Sequence, residues 1–314
     1  MANRAFPAVA LAAAVIGGRA TGRRYRRDLH RAEERLSSLD RSVIANRFGR
    51  TEFAAIGSGD PLLVSHGIFH GFDGALTSVE HLADGRRVIA PSRFGYLGST
   101  MPPRATVAGQ AEAFALLLDH LELDAVDMIA VSAGTGAAIQ FALRHPDRVK
   151  HLIVSSGNFP GSETAQAPPN WAKVFYSDPA MWLLKSIAPA VFAGLMGVPD
   201  GFPRNDDDSR QIDRMLDSIF PVGPRVTGAV FDAYVSNPEV GAYPLEQIRV
   251  PTLIVHAKDD PLASFDAAAA AADRIPGADL LTLDSGGHLQ LGQAERVQME
   301  IAAFLAPVAA RQWR

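Results

Sequence analysis

The segment Ile129-Ala130-Val131-Ser132-Ala133-Gly134-Thr135-Gly136 sets a serine among small residues, after an apolar run and ahead of a helical one. A strand that turns sharply into a helix lifts the side chain at the turn above the sheet edge, and only small neighbours let strand and helix come that close. The usual pattern is G-x-S-x-G. Here Ala130 stands at the first glycine position, a mild departure because the position mainly demands small size. A serine hydroxyl becomes a nucleophile when a base takes its proton. His288, in Ser285-Gly286-Gly287-His288, is the favoured base, since two glycines let a loop swing an imidazole over the sheet edge. An imidazole titrating near neutrality can take a serine proton and return it to a leaving group. Of the other histidines, His30, His81, His120, His145 and His151 fall on expected helices or their ends and read as surface residues, whereas His256 ends a strand and is a buried rival.

The elements that must position these residues alternate. Strands are expected over 61–65, 87–90, 126–131, 150–155, 252–256 and 280–283, with a hairpin over 41–56 turning at Gly49-Arg50. Helices are expected over 107–121, 136–145, 266–274 and 294–305. Strands alternating with helices imply an α/β fold, a mostly parallel central sheet flanked by helices. Between 158 and 245 the alternation stops. Helices are expected there over 180–196, 209–218 and 222–236, and the stretch holds 11 of the 24 aromatic residues in 88 positions. That surplus predicts an inserted helical cap over an apolar pocket. The domain organisation expected is therefore an N-terminal segment 1–40, a core built from 41–157 and 246–314, and a cap over 158–245.

With Leu62-Leu63-Val64-Ser65-His66-Gly67, the serine turn, Ala142-Leu143-Arg144-His145-Pro146-Asp147-Arg148-Val149, Val250-Pro251-Thr252-Leu253-Ile254-Val255-His256-Ala257-Lys258-Asp259-Asp260 and Ser285-Gly286-Gly287-His288 taken together, the chain resembles the α/β-hydrolase fold enzymes over most of its length. The resemblance implies a triad in the chain order Ser, acid, His, met by Ser132, Asp260 and His288. Asp259 and Asp260 both follow the strand 252–256. The family pattern selects Asp260, with Ala257 at the position usually held by Gly, and leaves Asp259 as a turn residue. It also implies an oxyanion hole from the backbone N–H groups of Ala133 and Ile68, with Phe69 the near rival for the second and His66 and His70 as braces of that loop. After the strand 87–90 many relatives carry an Asp. This chain has Pro91-Ser92-Arg93-Phe94-Gly95, and Arg93 and Ser99, placed where they could line the entrance, read rather as plain loop residues.

The implied activity is serine hydrolysis of an ester or related acyl bond in a small, partly apolar substrate, through an acyl-enzyme. Carbon–carbon bond hydrolase, lactonase, iminopeptidase and non-catalytic ligand-binding roles are alternatives on the same fold. An iminopeptidase would need clustered acids for the substrate ammonium, and Asp206-Asp207-Asp208 reads instead as a helix start. No metal or organic cofactor is implied. A formal charge of −4 argues against nucleic-acid binding, and the absence of Cys excludes disulfides and thiol chemistry. At the N-terminus an uncharged run over 5–18 precedes Arg19, Arg23, Arg24, Arg26 and Arg27. The run is short for a membrane span, yet it raises the expectation of membrane association through residues 5–27, with the body on the cytoplasmic side, a soluble cytoplasmic protein being the alternative. Leu29, Ala32, Leu36 and Leu39 then predict an amphipathic linking helix.

Overall fold

A computed structural model describes residues 5–159 and 176–306, with side chains from residue 18 onward. Its centre is an eight-stranded sheet in the order β1-β2-β4-β3-β5-β6-β7-β8. The strands are β1 (Ser42–Asn46), β2 (Gly49–Ile56), β3 (Asp60–Ser65), β4 (Arg86–Pro91), β5 (Val126–Val131), β6 (Val149–Ser155), β7 (Thr252–Ala257) and β8 (Asp279–Leu283). β1 and β2 form an antiparallel hairpin and β2 pairs antiparallel with β4, while every pair from β4 to β8 is parallel. The hairpin turns at Arg47-Phe48, two residues before the Gly49-Arg50 expected, because Asn46 accepts the backbone N–H of Phe48 through its side chain and closes the turn itself.

Helices cover both faces. α1 (Ala5–Ser37) is one long helix, α2 (Phe72–Ser78) follows β3, α3 (Val107–His120) precedes β5 and α4 (Thr135–Arg144) follows it. Strand interiors such as Leu62, Leu63 and Val64 are fully buried, as continuous apolar runs must be when both sides of a parallel sheet are covered. α3 starts where the Thr106 hydroxyl accepts the Gly109 N–H, and its Phe114 meets Phe141 of α4 edge to face. These helices pack on one face of the sheet, and α2 packs on the other.

Between β6 and β7 the described residues hold α5 (Asp178–Ile187), α6 (Pro189–Leu195), α7 (Asp206–Ser218) and α8 (Val226–Phe231), the last continued by a π turn over Asp232–Ser236. The single helix expected over 180–196 is two, because Ala188 leaves helical geometry and Pro189 begins the next turn. α7 opens on a capping box in which Asn205 and Asp208 satisfy each other's backbone N–H groups, so the acidic run serves the helix start. After β7 come α9 (Phe265–Arg274) and α10 (Ala294–Leu305).

The C-terminal half of α1 docks on the body. Arg35 reaches Asp73 of α2 at 3.1 Å and the Phe220 carbonyl at 2.7 Å, and Tyr25 meets the Trp182 ring edge-on at 5.4 Å. No helix among the described residues is long and apolar enough to cross a membrane, and the side chains of residues 5–17 lie outside the described ones.

Phe114→Ala should lower the free energy of unfolding by about 3–5 kcal/mol through the buried cavity it leaves. Urea denaturation reads this directly, and a loss under 1 kcal/mol would mean that α3 does not bear on the core as described.

Candidate active site

β3 lies between β4 and β5, so the chain leaves β3 toward one side of the sheet and returns on the other. The loops after the carboxyl ends of β3 and β5 therefore diverge and leave a crevice between them, the place where open α/β sheets hold their ligands. Ser132 sits at the end of β5 with φ of 51°, a left-handed conformation that is rare for a side-chain-bearing residue. Several contacts hold it there. A Cβ on Gly134 would lie 2.1 Å from the Ser65 carbonyl oxygen, so only glycine allows the turn to pass β3. Ser65 donates its hydroxyl to the Gly134 carbonyl at 2.8 Å, and Thr135 donates to the Ser132 carbonyl at 2.6 Å.

His288 Nε2 is 2.8 Å from Ser132 Oγ, and its Nδ1 is 2.8 Å from Asp260 Oδ2. The structure thus brings together the serine, histidine and acid singled out in the sequence, from the ends of β5, β8 and β7. An ionised Asp260 can only accept, which places the imidazole proton on Nδ1 and leaves Nε2 to accept the serine proton. Burial alone would raise the Asp260 pKa. Hydrogen bonds from His256 and His288, aided by the backbone N–H of Ala263, outweigh it and hold the carboxyl well below the usual range. His256, the rival base, is fully buried against the same carboxylate at 3.3 Å and bonds the Ala263 carbonyl at 3.0 Å. It braces the acid from behind and does not reach Ser132.

Asp259 is more than a turn residue. It accepts the N–H groups of Gly287 at 2.8 Å and Gly286 at 3.2 Å, and so anchors the loop that carries His288. Both glycines have positive φ, and a Cβ on Gly287 would collide with Pro199. The His288 N–H also donates to the Gly197 carbonyl of the inserted segment at 3.0 Å.

On the other bank, Gly67, Ile68 and Phe69 line the crevice beside Ser132. His66 braces this loop as expected. Its Nε2 accepts the Arg93 N–H at 3.0 Å, which leaves Nδ1–H to donate to the Gly67 carbonyl at 2.8 Å. His70 braces it through its backbone N–H, which donates to the Gly67 carbonyl at 3.4 Å, while its ring nitrogens have no hydrogen-bond partner among the described residues. Arg93 is neither at the entrance nor a plain loop residue. It is buried, grips both Asp232 oxygens at 2.5 Å, and donates to the His66 carbonyl at 2.8 Å. Tyr96 donates to the same aspartate. Ser99 is likewise structural, accepting the Glu52 N–H at 2.9 Å and donating to the Ser92 carbonyl at 2.7 Å. A second buried pair, Arg225 on both oxygens of Asp73 at 2.8 Å, ties the insertion to α2. No motif marks either pair, because the partners lie 139 and 152 positions apart.

The crevice opens into a cavity of about 670 Å³. Its far wall comes from the insertion, with Met181, Phe192, Leu195, Met196, Met215 and Ile219, and His81, expected at the surface, also faces it. Tyr176 and Phe192 are the lining aromatics of the described insertion. Trp182 and Phe220 pack into the insertion's own core instead, and Trp171 and Phe175 lie outside the described residues. His151 sits on β6, not on a helix, and bonds Asp127. Among the described residues, no group of three or more His, Asp or Glu side chains converges as a metal site would.

Residues 60–190 match the model of the alpha/beta hydrolase fold, and residues 233–309 match that of the TAP-like proteins. The chain belongs to the α/β-hydrolase fold superfamily. It is 28% identical over 290 residues to a 2-hydroxymuconate semialdehyde hydrolase of Pseudomonas sp. (strain CF600), covering 88% of this chain and 96% of that one. It is 29% identical over 252 residues to a poly(3-hydroxyalkanoate) depolymerase of Ectopseudomonas oleovorans, covering 78% and 84%. Among solved structures, an alpha/beta hydrolase fold protein from Nakamurella multipartita superposes with a TM-score of 0.72 at 25% identity, over 85% of this chain and 99% of the other. Hydrolysis is the activity class that such relatives support.

Two outcomes follow from the buried charges. Arg93→Met strands the Asp232 carboxylate in the interior and should cost about 3–5 kcal/mol in urea unfolding, against under 1 kcal/mol if the pair were solvated. Stability should also fall in acid. His70 titrates near 6.5 when unfolded, while burial, then the charges of Arg225, Arg93 and Arg35 against Asp73, push the folded ring down to about 4. The unfolded chain therefore binds the extra proton, and stability present above pH 6.5 is lost as pH falls toward 4, by up to about 3 kcal/mol from this residue. His66 acts in the same direction. Unfolding free energies of wild type and His70→Gln at pH 7 and pH 4.5 should differ in slope, and equal slopes would refute the assignment.

Proposed function

We propose that the protein is a serine hydrolase that cleaves an ester or related acyl bond of a small, partly apolar substrate. The observation that carries this reading is the unbroken hydrogen-bonded line from Ser132 through His288 to Asp260, set at the edge of a largely apolar cavity. In this reading His288 Nε2 takes the Ser132 proton as Oγ attacks the acyl carbon. The oxyanion that forms is met by the backbone N–H groups of Ala133 and Ile68, and the carboxylate of Asp260 stabilises the imidazolium. His288 then returns the proton to the departing alcohol. Water, activated by the same imidazole, releases the acid and restores the serine.

The insertion acts as a cap in this scheme. It walls the cavity opposite Ser132 and braces the His288 loop at Gly197, so acyl-chain preference should reside in α5, α6 and α7. The acidic run at 206–208 is engaged at the start of α7, which favours an acyl ester over a substrate carrying a free ammonium group.

Three variants test the roles. Ser132→Ala should abolish labelling by a fluorophosphonate probe while the far-UV circular dichroism stays that of wild type. Asp260→Asn should lower turnover of p-nitrophenyl esters on the order of 10⁴-fold, as the equivalent change does in a serine protease. Asp259→Ala should cost on the order of tenfold, through a looser His288 loop. Full labelling of the Ser132→Ala protein, or an Asp259 variant more crippled than the Asp260 one, would overturn the assignment.

A further inference from the structure

Large apolar side chains left in water concentrate at one corner of the molecule. Of the eight that are well exposed among the described residues, four lie on α5 and α6: Leu183, Ile187, Val191 and Leu195. Leu183 and Ile187 are one helical turn apart, as are Val191 and Leu195, so each pair shares a helix face. A fifth, Leu262, lies just beyond them, since a Cβ on Gly197, two residues past α6, would lie 3.1 Å from its Cδ1. Leu195 is 46% exposed and Leu262 50%, and both line the cavity that holds Ser132 and His288. The strip therefore ends where that cavity meets the surface. Single exposed leucines are ordinary, but a strip that leads to a cavity rim marks an interaction face. α1 brings charge to the same corner. Trp182, next to Leu183, meets the Tyr25 ring and donates its Nε1–H to Asp28 at 3.2 Å. Arg24 and Pro189, the first residue of α6, line one groove. Around that crossing and beyond it, toward the N-terminus of α1, stand Arg19, Arg23, Arg24, Arg26 and Arg27, all exposed and with no acid between them. The whole chain carries a net charge of −4, so this positive potential is local. Nearby carboxylates offset it only in part, as Asp28 pairs with Arg24 and Arg27 while Asp217 takes Lys185. Ahead of the arginines the sequence is uncharged over 5–18.

We propose that this corner, the apolar strip of α5 and α6 together with the arginines of α1, docks on an anionic lipid bilayer surface, and that the cavity draws a long-chain ester from that layer. Apolar side chains enter the boundary between headgroups and acyl chains while arginines meet the lipid phosphates, which is how a protein surface lies on a bilayer without crossing it. Among the described residues no helix is long and apolar enough to cross. A second copy of the chain fits the corner less well, because a two-fold contact through the same patch sets the arginines of one copy near those of the other. In the docked orientation Leu195 and Leu262 open the cavity toward the lipid, and the path from there to Ser132 is largely apolar. The docking stands on the surface alone, whereas the substrate class rests on the serine-hydrolase reading of the site.

The test is co-sedimentation of the full chain with phosphatidylcholine vesicles, with and without phosphatidylglycerol. Wild type should pellet with the phosphatidylglycerol vesicles and come off as salt is raised. Two sets of exposed positions probe the two halves of the corner. Ile187→Glu with Val191→Glu, neither of which lines the cavity, should lower the partition coefficient about tenfold although α1 is intact. Replacing Arg23, Arg24, Arg26 and Arg27 by Gln should lower it on the order of a hundredfold. In both variants hydrolysis of p-nitrophenyl palmitate carried in the vesicles should fall with binding, while hydrolysis of p-nitrophenyl butanoate in free solution stays that of wild type. Wild type left in the supernatant, or a cap variant that pellets like wild type, would overturn the proposal, the second by leaving binding to α1 alone. A dimer in gel filtration that the cap variant dissociates would also overturn it, by giving the face to a second copy. Fluorophosphonate labelling separates the docking from the chemistry. If Ser132 is not labelled, the hydrolase reading fails and takes the substrate class with it, whereas labelling without vesicle binding removes only the docking.

Discussion

The close approach of Gly134 to the Ser65 carbonyl governs the rest of the molecule. Because β5 turns into α4 hard against β3, Ser132 is forced into left-handed backbone geometry and its hydroxyl is thrown clear of the sheet. Such strain persists only where neighbours over-determine it. Here the neighbours are the strand pairing of β3 with β5 and the hydroxyls of Ser65 and Thr135. The same crossing opens the crevice that the loops of β3, β7 and β8 then furnish.

Around that fixed point the remaining groups are positioned by carboxylates. Asp260 orients His288 while His256 backs it, and Asp259 clamps the glycines on which the histidine loop pivots. Farther out, Asp232 and Asp73 receive Arg93 and Arg225, so the loop after β4 and helix α2 are each bound to the insertion by a buried ion pair. Asp73 also receives Arg35, which brings α1 to the same carboxylate. Pairs this deep add little net stability over apolar packing, but they tolerate no half-measures, and they set how the layers sit on one another.

Much of this was legible in the sequence. The strand and helix runs of the core announce themselves through continuous apolar stretches and 3.6-residue periodicity, and the expected boundaries fall within a residue or two of β5, α4 and α10. The serine and histidine are legible because each sits beside local punctuation, a run of small residues or a glycine pair, whereas the strand end leaves Asp259 and Asp260 equal and the family resemblance chooses Asp260. What stayed hidden depends on tertiary partners. α2 is a short helix with no distinct apolar period, and the hairpin turn was set by an Asn side chain that no glycine rule captures. Arg93 looked like a loop residue because its partner, Asp232, lies far along the chain in a segment without motif. The aromatic surplus of the insertion is compatible with both a core of its own and a pocket lining, and the described part serves both, because composition alone does not tell an inner wall from a filling.

The two long-range ion pairs also bear on how the protein can be assembled and recombined. Asp73 and Arg93 emerge early in synthesis, yet their partners come 152 and 139 residues later. Until the insertion arrives, a core that closed around them would bury lone charges, so the early chain has reason to stay open. The insertion is therefore a structural creditor of the core, not a detachable accessory. A chimaera that exchanges it for the corresponding segment of another hydrolase must carry an arginine and an aspartate at the positions of Arg225 and Asp232, or must discharge Asp73 and Arg93 in the recipient core.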